Sequence, residues 1–73
     1  MADTLGTRIR KARRKAGFSN AESLAVALDV GHRTIQRWET DDSEPSLAKL
    51  RQIAAVTRQP LGFFLNGDTE QAA

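Results

Sequence analysis

The chain has 73 residues, room for one domain around one small core, and no cysteine, which removes disulfide frames and thiolate metal sites. Its single histidine excludes a histidine-built zinc centre, and its longest apolar run, Leu24 to Leu28, is far too short for a membrane span or a signal-peptide core. The net charge of +2 hides an asymmetry: residues 1–38 carry eight Lys or Arg against three acids, whereas residues 39–73 carry three against six. The first half therefore suits a polyanion. The expectation is a soluble cytoplasmic protein with no cofactor, no membrane association and no small-molecule ligand.

Residues 1–4 and 68–73 are small or polar and read as frayed ends, leaving an ordered core of about 5–67 in one domain. Leu5, Ile9, Ala12 and Ala16 fall at helical spacing, and Gly17 ends that first helix. Its other faces carry Arg8, Arg10, Lys11, Arg14 and Lys15. Either Ser19, in a capping box with Glu22, or Asn20 starts the second helix, whose buried face is Ala21, Leu24, Ala25 and Leu28. Asp29-Val30-Gly31 breaks the chain, and a third helix runs from about His32 to Glu39. "TDDSEP" is a loop by composition. Pro45 or Ser46 opens a fourth helix with Leu47, Leu50, Ile53 and Ala54 inward. Pro60 suits the first turn of a fifth, with Leu61, Phe64 and Leu65 completing the core and Asn66-Gly67 closing it. The result is a compact all-α domain of five helices, each too short to be stable alone.

The third helix is unusual. Only Ile35 and Trp38 are large and apolar, and being three apart they share a face. His32, Arg33, Gln36 and Arg37 are left pointing elsewhere, with no acid until Glu39 to pair with them. The short Gly-containing turn before this helix makes a helix-turn-helix with the second. Small Ala25 lets the two cross closely, while Val30, Ile35 and Trp38 pin the third in place.

From Leu5 to Gly67 the chain resembles the Cro and lambda-type repressor family, also called the xenobiotic-response-element type of helix-turn-helix proteins. "LGTRIRKARRKAG" is similar to the family's first helix, "LAVALDVGHRTIQRWE" to its helix-turn-helix core, "PSLAKLRQIA" to its fourth helix and "PLGFFLNG" to its last. The resemblance implies a lambda-repressor-like five-helix fold and a transcriptional regulator that binds double-stranded DNA at a palindromic operator. By the same token it implies no enzyme. The recognition helix would enter the major groove, whose width accepts a helix and whose edges distinguish all four base pairs. Carried over, His32, Arg33, Gln36 and Arg37 read base edges, and Asn20, Ala21, Thr34 and Thr40 meet phosphate, with Arg10 as a phosphate neighbour. Arg13 matches the family arginine that reaches a glutamate at the end of the third helix, here Glu39. Three departures stand out: Ala21 where the family favours Gln, Asp29 where Gly is usual in the turn, and acids at 41, 42 and 44 where relatives place bases.

Plainer readings sit beside these. Lys11 and Arg14 read as a solvated face, Trp38 as core, and Ser19, Asn20 and Ser46 as helix starts instead of nucleophiles. The acids at 41, 42 and 44 lack the spacing of a calcium loop. Phe63 precedes two assigned core residues and reads as an exposed aromatic, a candidate two-fold contact in a weak homodimer that forms fully only on DNA. A second class of function is a protein-interaction module on the same scaffold, such as an antitoxin or accessory subunit, with the acidic loop and Phe63 meeting a protein.

Overall fold

The computed structural model describes residues 4–66, and five helices follow in order: α1 Leu5–Lys15, α2 Ala21–Leu28, α3 His32–Glu39, α4 Leu47–Thr57 and α5 Leu61–Asn66. Side chains set most of the starts. Thr4 Oγ1 accepts from the Thr7 amide at 3.2 Å, and Ser46 Oγ from the Lys49 amide at 3.2 Å. At α2 the cap is Asn20, not Ser19: its Oδ1 accepts from the Ser23 amide at 2.9 Å, and Ser23 Oγ donates back to the Asn20 carbonyl at 2.8 Å. These bonds satisfy amides that have no partner within the helix. α3 starts at Gly31 without a side-chain cap.

The ends turn on left-handed residues. Gly17, at φ 97°, lets the Phe18 amide donate to the Arg13 carbonyl at 3.0 Å. Asp29, at φ 59°, lets the Val30 amide donate to the Ala25 carbonyl at 3.0 Å. Asp therefore does take the conformation that Gly adopts without strain. Asp41 and Arg58 take it too, after α3 and α4.

The core gathers Ile9, Ala12, Leu24, Ala25, Leu28, Ile35, Trp38, Leu50, Ile53, Ala54 and Phe64, with every described helix contributing. Ala25 and Ile35 are both buried, and α2 packs chiefly on α3. Four positions depart from the expectations. Ala16 is exposed, because α1 stops at Lys15 and Ala16 is its cap. Leu47 and Leu65 are 52% and 56% exposed instead of buried. Leu47 opens its helix and Leu65 nearly ends its own, where the correct face no longer has a neighbour opposite it. Phe63, expected to be exposed, is half-buried against the core and meets Phe64 edge-on with centroids 5.2 Å apart. Phe63 lies off the face that Leu61 and Phe64 define, and its partial burial comes with the edge-on contact to Phe64. Gly67, expected to close α5, lies outside the described residues.

One contact sets how α1 lies on α3. Gly6 is buried, and a Cβ added to it would stand 2.5 Å from the Glu39 carbonyl oxygen and 2.6 Å from that of Trp38. The backbone at the end of α3 thus rests directly on the first turn of α1.

Candidate nucleic-acid interface

α3 buries Ile35, Trp38 and Glu39 and leaves His32, Arg33, Gln36 and Arg37 exposed. Arg33 and Arg37 are four apart and so lie on one face. Thr34 is half-buried beside them, and Thr40, the cap, is exposed with its Oγ1 donating to the Gln36 carbonyl at 3.0 Å.

Glu39 is held from behind. Arg13 Nε donates to Glu39 Oε2 at 2.6 Å and Arg13 Nη2 to Oε1 at 3.3 Å, while Nη1 donates to the Phe18 carbonyl at 2.9 Å. Both side chains are buried, so the guanidinium fork is fully used inside the protein and joins α1 to the end of α3. Arg10 Nε stands 3.6 Å from Glu39 Oε1, with its side chain half in solvent. Arg10 is therefore tethered near the pair and still reachable from outside.

A concavity of about 610 Å³ opens where α1, the start of α2 and the end of α3 meet. Arg10 and Arg14 line one side, Asn20 and Ala21 the second, Gln36 and Thr40 the third, and the Arg13–Glu39 pair its floor. The start of α2 faces it with the positive end of the helix dipole. An anion such as a phosphate fits this combination of amides and guanidinium groups. Arg14, which reads from sequence as part of a solvated face, also lines this concavity. Its spacing of four from Arg10 places both on one side of α1.

The acids after α3 divide. Asp41 is exposed but turns toward α1, its Oδ1 accepting from the Gly6 amide at 2.9 Å. Hydrogen bonds from Thr4 and then from the Gly6 amide, followed by the charge of Arg8, hold its carboxyl below the ordinary value of 3.8. It serves the N-terminus of α1, where an anion is favourable. Asp42 is exposed, its Oδ2 3.9 Å from Arg37 Nε. Among the described residues no cluster of ligating side chains suits a metal ion, and no helix is long and apolar enough to cross a membrane.

The arrangement has known counterparts. The HTH_3 helix-turn-helix family model matches residues 9–64. The chain belongs to that family. The chain is also similar to the HTH-type transcriptional regulator DicA of Escherichia coli (strain K12), 37% identical over 93% of this chain, and to the HTH-type transcriptional regulator ImmR of Bacillus subtilis (strain 168), 28% identical over 89%. This chain spans about half the length of each, 50% in both cases. The fold superposes on the P22 c2 repressor in complex with a synthetic operator, with a TM-score of 0.82, 25% identity and coverage of 92% of this chain and 100% of the other. The solution structure of the P22 c2 repressor DNA-binding domain gives the same TM-score and identity, covering 93% of this chain and 88% of that one. The five-helix, lambda-repressor-like architecture is thus that of a repressor DNA-binding domain.

Proposed function

We propose that this chain binds double-stranded DNA sequence-specifically and acts as the DNA-binding part of a transcriptional repressor. One observation carries this reading: α3 is pinned by Ile35 and Trp38 so that four donors stand exposed beside a basic concavity. With α3 in the major groove, Arg33 and Arg37 meet guanine O6 and N7, and Gln36 meets adenine or a phosphate. His32, at the helix start, reaches the groove edge. The amides of Asn20 and Ala21, with Thr34, Thr40 and Arg10, hold the flanking phosphates. Membership of the HTH_3 family and the likeness to an operator-bound repressor support the same reading.

The operator is palindromic in this account, and two chains bind it as a weak dimer that forms fully on DNA. The recognition helices then sit about 34 Å apart, one turn of duplex. Exposed Leu65 together with half-buried Phe63 makes α5 the candidate contact. Such a regulator works in the cytoplasm. The test is selection of bound duplexes from a random pool, followed by titration of the selected site and a scrambled one at several salt concentrations. A preferred two-fold site with salt-sensitive affinity supports the proposal. Equal or absent binding to every duplex overturns it and favours a protein-interaction module.

A further inference from the structure

Asp42 sits where a DNA-binding surface should least tolerate an acid. Its pairing with Arg37 is solvent-exposed, the two side chains being 62% (Arg37) and 70% (Asp42) accessible, so it contributes little to folding. The loop that carries it is nevertheless firmly placed. The Arg37 carbonyl accepts from the Asp42 amide at 2.8 Å, the Ser43 amide at 3.3 Å and Thr40 Oγ1 at 3.3 Å. The neighbouring Asp41 anchors the same loop to the Gly6 amide. Arg37 and Asp42 are thus bound through the main chain, and a short side chain on one faces a long side chain on the other.

The direction of approach matters. Asp42 Oδ2 meets Arg37 at Nε, 3.9 Å away. A guanidinium has its donors in a rigid planar fork, and bidentate bonding to guanine O6 and N7 uses two of them together. At 3.9 Å the carboxylate makes no direct hydrogen bond, but its charge draws the Nε side of the guanidinium toward it and leaves both terminal nitrogens for the base.

We propose that Asp42 is a positioning residue that orients Arg37 for guanine by holding its Nε side. The proposal rests on Arg37 reading a base, as in the function above. Asp42 has a second, opposite effect: its charge repels phosphate and lowers affinity for any duplex. The two effects separate experimentally, because one is confined to a single base pair and the other is not.

The experiment compares the unaltered chain with Asp42→Asn, Asp42→Glu, Arg37→Ala and the double variant. Each is titrated against the selected duplex, its single-base-pair variants and a random-sequence duplex. Asp42→Asn should bind the random duplex more tightly yet lose about two- to five-fold in discrimination at one base pair, the size of an exposed pair. Arg37→Ala should lose discrimination at that same base pair, and adding Asp42→Asn to it should cause no further loss there. Asp42→Glu should restore part of the discrimination, and the melting temperature of Asp42→Asn should match that of the unaltered chain. If Asp42→Asn tightens all duplexes equally, or changes none, Asp42 is at most a repulsive charge and the positioning role is overturned. If Arg37→Ala itself leaves every base preference intact, the assignment of Arg37 to base reading fails instead, and the role of Asp42 falls with it.

Discussion

Replacing Gly6 by alanine should unseat α1 from α3, although in a solvated helix the same change is stabilising. The new Cβ would stand 2.5 and 2.6 Å from the Glu39 and Trp38 carbonyl oxygens and 2.8 Å from the Glu39 carbonyl carbon. Ordinary contact begins at 3.4 Å, so the two backbones must separate by about 0.9 Å. No side-chain rotation relieves this, because the three nearest atoms are all main chain. Overpacking of this kind costs about 1–3 kcal/mol, and the absence of a flexible neighbour places Gly6→Ala near the upper end. Helix propensity returns at most about 1 kcal/mol, leaving a net loss of about 2 kcal/mol. That corresponds to a fall in Tm of roughly 8–16 °C for a domain of this size. The separation also pulls Glu39 from Arg13 and the Gly6 amide from Asp41, so the loss should appear as one cooperative, earlier transition. Gly31→Ala is the control, since its Cβ would meet nothing within 4 Å; it should cost less than about 1 kcal/mol through its cap position. Thermal unfolding followed by circular dichroism reads both. A Gly6→Ala protein that melts at or above the parent temperature would refute the argument that backbone contact sets the α1–α3 seat.

Glu39→Ala strands the buried Arg13 guanidinium and should cost about 3 kcal/mol, seen as a lower urea midpoint, while Arg51→Ala, exposed on α4, should leave the midpoint in place. Asp41 makes stability depend on pH at the acid end. Because its folded carboxyl titrates below the ordinary value of 3.8, its contribution is whole above that pH and is lost as pH falls through the folded value. Asp41→Asn, which keeps an acceptor and tolerates the left-handed backbone, should therefore be less sensitive to acid than the parent in melts taken between neutral pH and pH 3. Asn20→Ala removes the α2 cap and should cost about 1 kcal/mol in the same assay.

The helices and their faces were legible because their signals are local: apolar spacing, cap residues and turn residues within a few positions of one another. That His32, Arg33, Gln36 and Arg37 stand exposed on α3 was legible for the same reason, since Ile35 and Trp38 alone fix which side of α3 remains outside. What escaped depends on distant partners. Gly6 looks like a weak point in a helix, and its purpose appears only when the end of α3 arrives against it. Asp41 looks like part of a solvated acidic loop, but a left-handed turn aims it at the first turn of α1. The acidic departure from the family pattern therefore falls on Asp42 and Glu44, not on all three acids equally. Leu47 and Leu65 mislead for a related reason: periodicity gives the face of a helix but not whether a neighbour extends to its ends. The Arg13–Glu39 pair was suggested by family resemblance, whereas the capture of the Phe18 carbonyl by the same guanidinium has no counterpart in local sequence.

If α3 reads base edges, Arg33 is the sharpest probe of it, because it is exposed and sits on the face shared with Arg37. The measurement is the affinity of Arg33→Ala for the selected duplex and for each single-base-pair variant, across several salt concentrations. Base reading by Arg33 should show as a loss of about 1–3 kcal/mol on the selected duplex, with preference relaxed at one base pair and kept at the others. A uniform loss on every duplex, with a shallower salt dependence, would make Arg33 a phosphate contact and contradict the claim.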